Sequence, residues 1–302
     1  MHSFKIAFSP IYAHPLPAGH RFPMLKYELI PEQLLHEGVI SKNDIYQPAI
    51  LDDETVLLTH DSDYLAQMKN LSLPQAMIRR IGFPLSEKLV ERELTIASGT
   101  VEGLKFAFES GVVFNIAGGT HHAFTNKGEG FCLLNDQAIA ANYLIKKKLA
   151  NKILIIDLDV HQGNGTAEIF SNNKNVFTFS MHGKANYPYI KERSDLDVEL
   201  ETGIGDEQYL TILKEKLSFI TEIFKPDFIF YLSGVDVLKT DKLGKLSLCL
   251  SGCYQRDQIV FNYCRNKNIP VSVSMGGGYS ESIKIIVDAH CNTFKAAREI
   301  YF

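Results

Sequence analysis

Apolar and polar positions follow two rhythms along this chain. Short runs rich in β-branched and aromatic residues recur: Lys5-Ile6-Ala7-Phe8, Val112-Val113-Phe114-Asn115-Ile116-Ala117, Ile153-Leu154-Ile155-Ile156, Val176-Phe177-Thr178-Phe179, Phe228-Ile229-Phe230-Tyr231-Leu232 and Val271-Ser272-Val273-Ser274. Most are apolar on both faces, as strands covered by helices on both sides are. Between several of them the spacing changes to a helical period. Residues 94–109 bring Ile96, Val101, Leu104 and Phe108 near one stripe, and residues 210–224 do the same with Leu213, Leu217, Ile220 and Phe224. Residues 255–264 and 282–301 also read as helices. Strand–helix alternation predicts right-handed crossovers and a parallel sheet, an α/β fold. Residues 10–90 are less regular and carry several prolines, so helices and loops are expected there. No linker, repeat or low-complexity tract divides the chain, and 1–302 is read as a single domain.

Polar clusters sit where five predicted strands end. Gly118-Gly119-Thr120-His121-His122 follows the Val112 run, and Asp157-Leu158-Asp159-Val160-His161 ends the Ile153 run. Ser180-Met181-His182 follows Val176, Ser233-Gly234-Val235-Asp236 follows Phe228, and Gly276-Gly277-Gly278-Tyr279 follows Val271. Open α/β sheets bind ligands beyond the carboxyl ends of their strands. Chance accounts for one such cluster, not for five in succession.

If residues 157–161 are extended, Asp157, Asp159 and His161 point to one side. Two of them can then meet one ion, because Zn–O and Zn–N bonds are both about 2.0–2.2 Å. A buried carboxylate satisfied by backbone N–H groups is the plainer reading of either aspartate alone. Two carboxylates beside an imidazole favour an ion, since burying a carboxylate is costly unless it is paired or ligated. Asp236 follows a small-residue turn at another strand end and is the best third ligand, although alone it reads as a helix N-cap. Asp159, His161 and Asp236 leave a fourth position for water or substrate, as a catalytic zinc requires. The O/N donor set also admits Fe²⁺ or Co²⁺.

His121 and His122 follow two glycines, whose freedom lets both imidazoles face one cavity. Such a pair can divide base and acid roles when its neighbours push the two pKa values apart. Asp157 can hold the far nitrogen of one, and Asn164 the other without adding charge. Tyr279, after three glycines, can approach a bound ligand and stabilise an oxyanion. The plainer readings are structural histidines and an ordinary tyrosine. Gly163-Asn164-Gly165 and Gly276-Gly277-Gly278 lack dinucleotide or P-loop spacing.

Composition narrows the classes further. Hydrophobic residues make up 45% and charged residues 22%, with a formal charge of −4, so no polyanionic partner and no nucleic acid is expected. The longest basic run, Lys146-Lys147-Lys148, reads as a solvated helix end. Five cysteines without a C-x-x-C pair argue against a disulfide framework or a cysteine zinc site, and fit a reducing cytoplasm. The start of the chain lacks a long apolar stretch, so no signal peptide is expected, and no membrane span either.

The clusters named above, with Gly130-Phe131-Cys132, Asn135-Asp136 and the run from Asp157 to Gly165, resemble the zinc-dependent histone deacetylases in order and spacing across nearly the whole chain. Residues 57–65, 180–182, 186–188, 198–201 and 241–247, with Arg256-Asp257, are similar to the class IV branch and its bacterial relatives. The resemblance implies the arginase/deacetylase fold, a central parallel sheet of about eight strands flanked by helices. It implies hydrolysis of an N-acylated lysine side chain, with Asp159, His161 and Asp236 holding Zn²⁺. His121 and His122 become the acid–base pair, with Asp157 and Asn164 behind them and Tyr279 polarising the carbonyl. Phe131 matches a channel wall; Gly130, Gly277 and Tyr187 (or Tyr189) are the further channel candidates. A structural K⁺ or Na⁺ would take Asp157, Asp159, His161, Ser180 and Met181. Asn164 stands where class I members place an Asp, and Lys26 near their internal-channel Arg. Thr120 and Val237-Leu238 occupy positions where two-metal relatives need aspartates, so one catalytic metal is expected. The rival substrates are small acetylated amines such as acetylpolyamines, with Asp61 and Asp63 as a candidate acidic gate. A catalytically silent acyl-lysine binding module is the third reading.

Overall fold

The computed structural model describes residues 5–302; the N-terminal expectation concerning residues 1–4 lies outside them. Eight parallel strands form one sheet: β1 Lys5–Ala7, β2 Ile45–Tyr46, β3 Val112–Asn115, β4 Ile153–Asp157, β5 Val176–Gly183, β6 Leu196–Leu200, β7 Phe228–Leu232 and β8 Val271–Ser274. Their order across the sheet is β2-β1-β3-β8-β7-β4-β5-β6.

The strands are apolar on both faces for a reason visible in the packing. Leu154, Ile156, Ile229, Tyr231 and Phe114 join one core layer, with residues from the helices Asp206–Ile223, Leu250–Asn266 and Ile283–Tyr301. Ile153, Ile155, Phe228, Phe230 and Val113 join the other, with residues from Glu87–Ser110 and Asp136–Lys146. The period-two alternation along each strand thus feeds two cores rather than one core and solvent. The 24-residue helix Glu87–Ser110 begins where the Ser86 hydroxyl accepts from Leu89 N, and ends at Gly111 with φ +87°.

Four strands that are neighbours in the sheet, β3, β8, β7 and β4, carry the Gly-His, Gly-Tyr, Ser-Gly-Asp and Asp-x-His segments. Those segments therefore meet above adjacent carboxyl ends. Three differences from the sequence reading stand out. Ser180, Met181 and His182 lie within β5, not after it. The edge strands β2 and β6 and the helix Asn164–Phe170 had no counterpart in the reading, whereas the basic run 146–148 does close a helix, Asp136–Lys146, whose start the sequence reading did not place. Residues 10–90 hold helices and loops as expected, but also β2. Among the described residues no helix is long and apolar enough to cross a membrane, and all five cysteines are free thiols.

Candidate active site

The loop after β3 is shaped by glycine and by one carboxylate. Gly118 and Gly119 have φ of +79° and +76°, and a Cβ on Gly118 would lie 2.3 Å from Asp136 Oδ2. Asp136 Oδ1 accepts from Gly119 N at 2.9 Å, Thr120 N at 3.0 Å and the Thr120 hydroxyl at 2.9 Å. The turn delivers His121 and His122 side by side, with ring centroids 4.1 Å apart and both buried.

The two imidazoles have different backings. His121 Nδ1 lies 2.7 Å from Asp157 Oδ2. Burial pulls the His121 pKa down, but the Asp157 charge and hydrogen bond outweigh it, and the net shift is upward. His122 Nδ1 lies 2.6 Å from Asn164 Oδ1. Burial, then the His121 and His161 charges, push its pKa well below the usual range. Asn164 donates its Nδ2 to Glu129 Oε1 at 2.6 Å, which fixes the amide so that its oxygen faces His122. His122 Nδ1 must then carry the proton, leaving Nε2 as an acceptor. Glu129 was not singled out in the sequence; it sits 35 positions from Asn164, and nothing local marks it.

Asp159, His161 and Asp236 converge: one ligand atom from each lies within 4.8 Å of the others, and all three residues are buried. His161 Nδ1 is 3.0 Å from Asp159 Oδ1 and 3.1 Å from Asp236 Oδ2. Asp159 Oδ2 is held by Gly277 N at 2.7 Å, and Asp236 Oδ1 by Val160 N at 2.9 Å. Asp236 Oδ2 is buried and, apart from that contact with the His161 ring, which lacks hydrogen-bond geometry, has no hydrogen-bond partner. Burial, and then the Asp159 charge, raise the Asp236 pKa. An orphaned carboxylate oxygen facing a second carboxylate and an imidazole is the environment a divalent cation relieves, so the donor set fits a metal. Gly277 is required there, since a Cβ would lie 2.0 Å from Asp236 Oδ2.

Two cavities meet at this point. The inner one, about 40 Å³, is lined by residues including Phe22, Tyr27, Arg92, Gly118, His121, Asp159 and Gly277. The outer one, about 400 Å³, is lined by residues including Phe131, Tyr187, Tyr189, Leu243 and Arg80. His122, Gly130, Phe131, His161 and Tyr279 line both. The channel candidates Phe131, Gly130 and Tyr187 thus face the outer cavity, while Gly277 lines only the inner one. Phe131 has φ +68°, a costly conformation for a bulky residue. It is held by Phe131 N donating to Ile81 O at 2.7 Å and Gly130 N to Arg80 O at 3.0 Å. Burial, then the Asp236 and Asp159 charges, raise the Tyr279 pKa well above that of a free phenol and keep it a hydrogen-bond donor.

Other candidates fall elsewhere. Asp61 and Asp63 line neither cavity. Lys26 is fully buried, donates to Gly276 O at 2.8 Å, and has its pKa pushed down to about 8 by burial; the arginine lining the inner cavity is Arg92. Asp157 and Ser180 are register partners on β4 and β5, and the Ser180 hydroxyl pairs with His182 Nδ1 at 2.9 Å.

A single parallel α/β sheet with this cluster at its carboxyl edge defines the class, and the comparisons agree. A family model described as histone deacetylase domain matches residues 20–294, and the chain belongs to the histone deacetylase family. It is 44% identical over 298 residues to an uncharacterized protein of Picosynechococcus sp., covering 99% of both chains. It is 32% identical over 306 residues to the acetoin utilization protein AcuC of Staphylococcus aureus, covering 92% of this chain and 78% of that protein. The solved structure of an HDAC homolog complexed with SAHA superposes with TM-score 0.85 at 24% identity, covering 98% of this chain and 84% of that one.

Proposed function

We propose that the chain hydrolyses the amide of an N-acylated lysine side chain, using a divalent metal, Zn²⁺ first, held by Asp159, His161 and Asp236. The observation that carries this reading is the Asp236 Oδ2 without a hydrogen bond, grouped with Asp159 and with His161, the member of the three that lines both cavities. When bound, the ion supplies Lewis-acid activation of water and of the amide carbonyl.

The protein's own groups supply the rest. His122, neutral and with Nε2 free to accept, takes the proton of the attacking water. Tyr279 donates its hydroxyl to the oxyanion that forms on the former carbonyl oxygen. His121, kept charged by Asp157, stabilises that negative charge. His122 then passes its proton to the leaving amine, and the C–N bond breaks to give a carboxylate and a free lysine. This assigns the base role to the histidine behind Asn164, not to the one backed by Asp157. A K⁺ or Na⁺ would sit under the site among Asp157, Asp159, His161, Ser180 and Met181 and hold the β4 and β5 ends together. Five free thiols agree with a cytoplasmic setting.

Tyr279→Phe keeps the ring packing against Phe22 and Phe131 but removes the donor. It should lower kcat by about 10²–10³ with metal content unchanged; undiminished turnover of acetyl-lysine peptide would remove Tyr279 from the mechanism. Glu129→Ala should lower kcat by roughly ten- to a hundredfold, with KM little changed, because the Asn164 amide is freed to turn. Glu129→Gln should restore part of the loss, and equal kinetics for all three proteins would sink the relay. Metal-loaded protein that binds acyl-lysine peptides but never turns them over would favour the binding-module reading.

A further inference from the structure

The outer cavity carries charge of one sign. Arg21, Arg80 and Lys245 line it, and no Asp or Glu does. All three are exposed, and among the described residues none is in an ion pair. The chain as a whole has a formal charge of −4, so this basic rim runs against the overall balance. Two of the cations are held at the mouth by side-chain contacts, and Arg80 is anchored there through its backbone. The Arg21 guanidinium lies 5.0 Å from the Phe131 ring centroid. Arg80 is fixed at the rim by its own carbonyl, which accepts from Gly130 N. Lys245 Nζ donates to Ala185 O at 2.9 Å. Glu129, beside Gly130 and Phe131 of the lining, is already bonded to Asn164 through its Oε1. Tyr189, 89% exposed, adds an apolar surface beside the cations.

Resting on the deacylase reading, we infer that the substrate is an acylated lysine flanked by acidic residues. The acylated side chain enters past Phe131 towards His122 and His161, so only the segment that stays outside meets Arg21, Arg80 and Lys245. Carboxylates there are attracted; a lysine- or arginine-rich segment, or a polyamine with its remaining ammonium groups, is repelled. Exposed pairs are individually weak and salt-screened, and three acting together give a discrimination of about tenfold at low ionic strength.

The test compares acetyl-lysine peptides of one length with acidic, neutral or basic flanks, on metal-loaded protein. The expected kcat/KM ratio, acidic over basic, is about ten in dilute buffer and falls towards one as salt shortens the Debye length to a few ångströms. In the double variant Arg80→Glu, Lys245→Glu the ratio should invert. Because a ratio is read, partial loss of active protein cancels, and the salt series on the parent stands if the variant fails to fold. A ratio near one, or a preference for basic flanks, overturns the inference. If no peptide is turned over, the deacylase reading has failed, and the rim is read by fluorescence anisotropy of the same labelled peptides. Tighter, salt-sensitive binding of the acidic peptide supports the rim's role, and equal binding overturns it.

Discussion

Substituting Asp236 by alanine is expected to lower acyl-lysine hydrolysis by on the order of 10³ or more, because the ion it helps to hold contributes several kcal/mol to the transition state. Bound zinc, measured on purified protein, should fall from about one per chain to near zero. Activity alone would not distinguish a lost ligand from a damaged core, since Asp236 is fully buried. Asp236→Asn separates the two. Its Oδ1 can still accept from Val160 N, while the amide removes the charge that faces Asp159. Metal-free Asp236→Asn should therefore melt at or above the temperature of the metal-free parent. Zinc in hundredfold excess over its dissociation constant should stabilise the parent by about 2.7 kcal/mol and the variant hardly at all. An Asp236→Asn protein that is stabilised by zinc as well as the parent, or that retains full activity, would end the metal assignment.

Much of this was legible in the chain because the fold places chemistry at strand ends. The six apolar runs 5–8, 112–117, 153–156, 176–179, 228–232 and 271–274 each fall on a strand of the sheet, with β4 and β5 running on past theirs, and the polar clusters reach one edge. Strands buried on both faces announce themselves by continuous hydrophobicity. The two that escaped notice lack that signal: β2 is two residues long, and β6, Leu196–Leu200, is mostly half-exposed and carries Asp197 and Glu199. Both are sheet edges, where one flank faces no partner strand.

The relay and the rim were not legible for a different reason. Glu129, Arg21, Arg80 and Lys245 acquire meaning only from tertiary neighbours tens to hundreds of residues away, and none sits in a cluster of chemistry-bearing residue types. The aspartates Asp61 and Asp63 show the converse error. They looked like a gate because they are acidic and close together, yet Asp61 N bonds Thr125 O at the start of the helix Ser62–Lys69, away from both cavities. The sequence likewise left the division of labour between the histidines open, and the proposed one rests on the Asn164–Glu129 bond, which only the fold brings together.

Arg256 gives the second large effect. It belonged to a stretch noted only for its resemblance, and the structure gives it work to do. Its side chain is fully buried, donates to Gly234 O at 2.6 Å, Ser233 O at 3.3 Å and Leu158 O at 3.4 Å, and pairs with Asp257 at 2.8 Å. The β4 loop carries Asp159 and His161 and the β7 loop carries Asp236, so one guanidinium ties both halves of the candidate metal site from beneath. Asp257 also accepts from the Tyr231 hydroxyl at 2.5 Å and the Thr293 hydroxyl at 2.7 Å. Arg256→Met leaves that carboxylate buried without its cation, which costs about 3–5 kcal/mol. The melting temperature should drop by roughly 6–10 °C or more. Adding Asp257→Leu removes the stranded charge and should recover at least half of the lost stability, since uncharged replacements of buried pairs are well tolerated. Zinc affinity should not recover, because neither replacement can hold the carbonyls of residues 158, 233 and 234. Stability and metal affinity thus part company in the double variant. If both return together, Arg256 is only a core cation; if the single variant is as stable as the parent, the staple contributes nothing.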